Sequence, residues 1–254
     1  MGGPVTPPAA QRAAELTGLG GFAVAQVSRD GLLPLATALE ASHLGERFAA
    51  TREGLAVGTG LKLDQVPRRT AVSAAQVGLV SRFWSIALGS LALHAWVPDL
   101  SPDKVWVAPS HRNPSPIALP DDGRSVDGLA DALEALEALV LRGAVAAVTR
   151  ACGEHGRTSA NVLVSNAASS LVAAARVLGR SVPAQAADLD ALTRRLLRVP
   201  WLAAGGAYPG SDQVSPGQGH PPHRDGFRRT GCCLYYRLPG HGLCPDCVLV
   251  REPS

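Results

Sequence analysis

"TAVSAAQVGLVSRFWSIALGSLALHAW", residues 70–96, is the stretch that decides the fold. Apolar side chains fill it, and Pro98 closes it two residues later, so the pattern predicts one long helix from Thr70 to Trp96 that stops before the proline. Its most apolar part, Phe83–Val97, is shorter than the about 20 residues a bilayer span requires. Arg82 and His94 also interrupt it. The reading is a helix buried in a soluble protein. Arg82 in such a helix needs a partner: a core ion pair or hydrogen bond on one reading, a bound ligand on the other.

Outward from this helix the same periodicity recurs. Ala41, Leu44 and Phe48 at helical spacing after Pro34 predict a helix over Pro34–Thr51. Leu129, Leu133, Leu136, Val140 and Ala144 predict another from an N-cap at Ser125 to Cys152-Gly153. A fourth helix is expected over Ser159–Leu178 with Gly179 as its stop. A fifth begins after Pro183, carries Leu189, Leu192 and Leu196, and ends before Pro200. Two short apolar runs, Val105–Ala108 and Ile117–Leu119, flank a Pro/Asn/Ser turn and read as a β-hairpin. The fold class is mainly α with a small β-hairpin (α+β).

Past Trp201 the composition breaks into "AAGGAYPGSDQVSPGQGHPPHRDGFRRTG", which cannot sustain a helix. The expected organisation is a helical body over residues 1–204, a Gly/Pro-rich loop over 205–231 and a C-terminal segment over 232–254. The body is expected to fold without the tail, because its amphipathic stripes can bury one another. The net charge of +3 comes from scattered arginines, with no basic, aromatic-interleaved stripe, which argues against a nucleic-acid partner. "MGGPVTPPAAQRAAELTG" has no apolar core flanked by basic residues, so no secretory leader and no membrane span are expected, and the location is expected to be cytoplasmic.

Four of the five cysteines lie in the tail: Cys232 and Cys233 adjacent, ten residues, then Cys244 and Cys247 two residues apart. Disulfides are rare in a reducing compartment, and a bond between neighbouring cysteines is strained. Core packing does not explain four thiols in a Gly/Pro-rich segment without hydrophobic periodicity, so the expectation is a metal. Cys244-Pro-Asp-Cys247 can aim two thiolates at one metal from a turn. The adjacent pair projects its side chains apart, which suits a two-iron cluster better than one tetrahedral ion. Spacing alone therefore favours [2Fe–2S] while leaving zinc open. Cys152, alone at a helix end, reads as a packing residue. His220, His223 and His241 are not needed as ligands. Tyr235 and Tyr236 are expected to shield the metal from water.

"RRTGCCLYYRLPGHGLCPDC", residues 228–247, resembles the C-terminal iron–sulfur segment of the ferric siderophore reductases of the FhuF type, with all four cysteine positions matched. "VPDLSPDKVWVAP" (97–109) and "VSNAASSLVAAARVL" (164–178) are similar to segments of the same family. The resemblance implies a helical body with a C-terminal [2Fe–2S] tail held by Cys232, Cys233, Cys244 and Cys247. It implies one-electron reduction of a ferric siderophore of the hydroxamate class, with Fe(II) released. The electron would come from a donor such as a ferredoxin or a reductase. Arg228, Arg229 and Arg237 are expected to tune the cluster, and Arg82 to line the siderophore cavity. The alternative is a siderophore-binding or sensor protein whose [2Fe–2S] or zinc site is structural.

Overall fold

The computed structural model describes residues 7–110, 115–119, 121–208 and 226–249. In chain order the elements are α1 (Ala9–Gly18), β1 (Ala25–Gln26), β2 (Leu33–Pro34), α2 (Leu35–Ala38), α3 (Ala41–Thr59) and α4 (Arg68–His94). Then come β3 (Trp96–Pro98), β4 (Trp106–Val107), β5 (Ile117–Ala118), β6 (Gly123–Ser125), α5 (Gly128–Ala135), α6 (Ala146–Gly156) and α7 (Ala160–Ser181). The last are α8 (Ala186–Leu196), α9 (Pro200–Ala203), β7 (Gly206–Ala207) and β8 (Arg228–Arg229). The protein is mainly α with a small β part.

The helix around residues 70–96 is the axis of the molecule. α4 packs against α7, α3, α6 and α1, and its Val72, Val80, Phe83, Trp84, Ile86 and Leu88 have no exposed surface. Helices that are apolar all round are core helices. Both α4 and α7 are long and apolar enough to cross a bilayer, but their most apolar windows are 94% and 67% buried inside the molecule. Their apolar surface is already consumed by packing. Trp84 also donates its indole N–H to the Ala167 carbonyl of α7 at 3.2 Å, so the largest core side chain leaves no orphaned donor.

The expected hairpin is β4–β5, antiparallel with Trp106 opposite Ala118 and Val107 opposite Ile117. It is the centre of a four-stranded sheet of order β1-β5-β4-β2, in which β1 runs parallel to β5. β3 and β6 form a second, two-stranded sheet.

Several helix boundaries differ from expectation, each because tertiary contacts override a local signal. The predicted helix over Pro34–Thr51 is two helices. Pro34 ends β2, and Leu35 and Ala36 donate to the Val105 and Pro102 carbonyls, which hold α2 against that loop while the chain turns at Glu40. Ser125 is not an N-cap, because it pairs with Trp96 in the β3–β6 sheet, and Asp127 precedes the helix instead. Cys152-Gly153 does not stop the helix, which runs on to Gly156 and ends at a left-handed Arg157. Between α5 and α6 the chain keeps a wide π-helical stretch, Leu136–Val145. It bends at Gly143, where a Cβ would stand 3.0 Å from the Leu100 carbonyl oxygen. Gly179 lies inside α7 rather than after it.

Candidate cluster-binding site

The tail lies on the body at the N-terminal ends of α4 and α7. β8 pairs antiparallel with β7, putting Arg229 opposite Gly206 and Arg228 opposite Ala207. Because successive strand residues face opposite sides, Arg229 is buried (6% exposed) while Arg228 is half-buried on the other side and keeps a partner of its own. The next residues are pinned to α7 and to the end of α9: the Gly231 N–H donates to Ser165 Oγ at 2.6 Å, and Thr230 Oγ1 donates to the Ala204 carbonyl at 2.6 Å.

Gly231 is required by space. A Cβ there would lie 2.5 Å from the Asn161 carbonyl oxygen, a backbone atom of α7. Since Gly231 immediately precedes the adjacent cysteines, Gly231→Ala should push Cys232 and Cys233 off the body, costing about 1–3 kcal/mol. The expected result is a lowered midpoint of thermal unfolding together with substoichiometric iron after purification.

Below the tail lies a buried polar network. Asn166 of α7, fully buried, accepts a hydrogen bond from the Arg229 guanidinium through Oδ1. Its Nδ2 donates to Ser73 Oγ and to Gln76 Oε1 of α4, both at 2.9 Å. Ser73 Oγ donates to the Cys233 carbonyl at 2.8 Å, and Gln76 Nε2 donates to the Leu163 carbonyl at 2.9 Å. The two central helices are thus wired to the backbone of a cysteine. The second half of the tail is held from α7 as well: Ser169 Oγ donates to Asp246 Oδ2, and the Arg229 N–H donates to the Asp246 carbonyl at 3.1 Å. Ser73, Gln76, Ser169 and Asp246 carry no signal in the sequence, because their partners lie in distant elements.

These anchors bring the four thiols into one small region. Cys233 Sγ and Cys244 Sγ are 3.8 Å apart, and Cys232 is near enough to Cys233 and Cys247 to feel their charges. Cys247 closes a turn by donating its N–H to the Cys244 carbonyl at 3.0 Å. Two sulfurs already accept backbone N–H groups: Leu234 N–H to Cys232 Sγ at 3.3 Å and Leu249 N–H to Cys247 Sγ at 3.4 Å. Leu234 takes a left-handed conformation (φ 70°), which turns the chain directly after the pair. The thiols stand as a close pair with two neighbours. Among the described residues, no three His, Cys, Asp or Glu side chains surround a single point.

Cys233 and Cys244 stand within sulfur hydrogen-bond reach of each other, and the contact moves their acidities apart. The hydrogen bond from Cys244 holds the Cys233 thiol down at about 6, while Cys244, giving that bond and partly desolvated, is pushed up. Burial raises Cys232. Arg229 lies close enough to oppose the negative charge of Cys232, Cys233 and Cys244, whereas Asp246 adds to it on Cys233 and Cys244. Arg229 is bonded to the neutral Asn166 amide and the Gly231 carbonyl, so its charge remains available to the sulfurs. Four thiol donors, backbone N–H groups aimed at sulfur and a buried cation fit a thiolate-held iron–sulfur group.

The other expected residues separate. Arg237 is exposed beside Tyr236, near Cys232. Tyr235 is part-buried against Leu238, Val66 and Ala56, whereas Tyr236 is 41% exposed, so one tyrosine packs and the other does not. His241 meets the Tyr235 ring edge-on at 5.5 Å. His220 and His223 lie outside the described residues. Cys152 is 1% exposed in the core, its thiol pushed up to about 12 by burial. Arg82 is buried on α4 and bonds to the Gly78 and Ser115 carbonyls, away from the thiols.

A comparison with curated proteins finds no match to the chain. Residues 229–249, from the buried arginine to two residues past the last cysteine, match the family model of the FhuF 2Fe-2S C-terminal domain, so this tail is of the FhuF type and its cofactor is a [2Fe–2S] cluster.

Proposed function

We propose that this protein is a ferric siderophore reductase, cytoplasmic, with the cluster held by Cys232, Cys233, Cys244 and Cys247. The observation that carries the reading is the graded exposure of the four thiols. Cys233 and Cys247 are buried (7% and 1%), while Cys232 and Cys244 are half-exposed on a loop at the surface. A site with one edge toward solvent is accessible to an external chelate and to an electron donor such as a ferredoxin. Bound there, a [2Fe–2S] cluster supplies one electron at a time, at about −400 mV for the plant-ferredoxin type.

The chain's own residues set the conditions. Arg229 provides a fixed positive charge in a partly desolvated place, which favours the more negative, reduced state of whatever the thiolates hold. Tyr235, packed with Leu238 on Val66 and Ala56, stands beside Cys233. The Asp246–Ser169 bond fixes the Cys244–Cys247 turn on α7. In the overall reaction one Fe(III) held by hard oxygen ligands gains one electron, and the Fe(II) formed leaves because those ligands hold it weakly.

The test is stopped-flow mixing of chemically reduced protein with ferric hydroxamate and catecholate chelates, with and without a strong ferrous chelator. Net reoxidation of the protein is expected, faster when Fe(II) is trapped. A protein that stays reduced under every condition would instead support the binding or sensor reading, in which the cluster staples the tail to the body.

A further inference from the structure

The half-exposed edge of the thiol site is framed by three chain segments, and each brings arginine to the surface. Arg68 and Arg69 begin α4, about one turn before Ser73, whose hydroxyl donates to the Cys233 carbonyl. Arg157 ends α6 beside them. It follows Gly156, where a Cβ would stand 2.5 Å from Val72 of α4, and it precedes by four residues Asn161, which bounds the tail at Gly231. Arg237 belongs to the tail itself. Its neighbour Leu238 packs with Val66, just ahead of α4, and its charge acts on Cys232. All four arginines are exposed, and none forms an ion pair with a carboxylate among the described residues. The exposed carboxylates on these segments are Asp64 and Glu154, while Asp246 of the tail is turned onto Ser169. Positive charge dominates this edge.

The tail adds apolar surface to that charge. Tyr236 is 41% exposed and Leu243 is 49% exposed, and Leu243 directly precedes Cys244, one of the two half-exposed thiols. The edge-on contact between the Tyr235 and His241 rings brings these two stretches of the tail together. Exposed apolar side chains scattered singly need no explanation, but here they stand beside the thiols and among arginines. Because the arginines are exposed, they form an open surface and do not enclose a cavity. Small-molecule sites are concave and bury most of their ligand, so this surface suits a macromolecule better. Apolar contacts within a charged rim are the make-up of a transient protein interface.

We propose that this edge is the docking surface for an acidic one-electron carrier protein, guided by Arg68, Arg69, Arg157 and Arg237. The proposal rests on the reductase reading and assigns it a partner, since each ferric ion reduced takes one electron that the protein must regain from outside. One electron passes from the reduced carrier to the oxidised centre held by the tail thiols. The carrier is oxidised by one electron, the centre is reduced by one, and no covalent bond forms or breaks. Cys232 and Cys244 reach the surface on this same edge, so a docked carrier meets the thiols without the electron crossing the helical body. The arginines steer a negative partner and fix its orientation, and they repel a basic one.

The test is calorimetric titration of the oxidised, cluster-loaded protein with an oxidised, acidic plant-type [2Fe–2S] ferredoxin, and with cytochrome c as a basic carrier. The ferredoxin should bind and cytochrome c should not. Raising the ionic strength from about 0.01 to about 0.1 M shortens the screening length from about 30 to about 10 Å, and should weaken the ferredoxin at least about tenfold. The double variant Arg68→Glu/Arg69→Glu should weaken it by a similar factor, about tenfold, and Arg157→Glu and Arg237→Glu should each weaken it measurably, with iron content unchanged. Arg180→Glu should change nothing, because it lies fifteen residues past Ser165, about 22 Å further along α7. In stopped-flow mixing, reduced ferredoxin should reload the variants more slowly by the same factors. If a variant does not hold its cluster, the salt dependence of the unmodified protein decides. Affinity that ignores salt, affinity that survives charge reversal, or equal binding of cytochrome c overturns the proposal. A negatively charged ferric chelate that these variants weaken while the ferredoxin is unaffected makes the rim the chelate's site, and also overturns it. Duplex DNA bound more tightly than the ferredoxin does the same. A ferredoxin that docks and reloads a protein unable to reduce any chelate sinks the reductase reading and leaves the docking surface standing. Chelate reduction by chemically reduced protein, with no ferredoxin docking, does the reverse.

Discussion

Serine at any one of Cys232, Cys233, Cys244 or Cys247 should cost the protein its cluster. Anaerobically purified wild-type protein is expected to contain about two irons and two acid-labile sulfides per chain, as a [2Fe–2S] centre requires. Each of the four variants should be colourless or bleach within its first purification step, whereas Cys152→Ser should keep the full spectrum. The contrast follows from place. The four tail thiols share one region, with Cys233 and Cys244 3.8 Å apart, while Cys152 is sealed in the core. Stoichiometric zinc without sulfide, or a variant among the four that keeps its iron, would refute the ligand set.

Loss of the Asn166 side chain should be the most damaging single change away from the thiols. Asn166→Ala strands the buried Arg229 guanidinium, removes the donor to Gln76 Oε1 and uncouples Ser73, which holds the Cys233 carbonyl. A hydrogen bond to a charged group contributes about 1.5–3 kcal/mol, and each buried group left unsatisfied adds about 1–3 kcal/mol. A loss of about 3–5 kcal/mol is therefore expected, measured by denaturant unfolding, with a parallel drop in bound iron. Asn166→Asp keeps an acceptor for Arg229 but loses both Nδ2 donations and cancels that residue's charge near the sulfurs, so stability and the cluster potential should both fall. If Asn166→Ala unfolds at the wild-type midpoint and keeps its iron, the network does not hold the tail.

Local features were legible in advance. Hydrophobic periodicity marks α3, α4, α7, α8 and the helical run from α5 to α6, because a helix repeats every 3.6 residues whatever it packs against, but it leaves α1 unread. It misplaces the ends. Ser125 carries a local signal for a cap that its pairing with Trp96 overrules, and Gly153 and Gly179 lie inside α6 and α7 instead of ending them. Alone, the chain also determined the thiols, since Cys232, Cys233, Cys244 and Cys247 lie within one short segment and their spacing is itself the chemical statement.

The surroundings of those thiols were decided only by the tertiary structure. Arg228 and Arg229 are indistinguishable as letters, but adjacent residues of a strand face opposite sides, and the register with Gly206 and Ala207 turns Arg229 inward. Asn166 reads as one polar residue beside an apolar stripe until α4 brings Ser73, 93 positions away, within hydrogen-bond reach. Arg47 shows no sign of being buried until α3 packs on α4 and the Ala108 carbonyl, just past β4, accepts its hydrogen bond. Ligand identity is carried by the spacing of a short segment. The charge around the ligands depends on contacts between residues dozens of positions apart, which the fold alone creates.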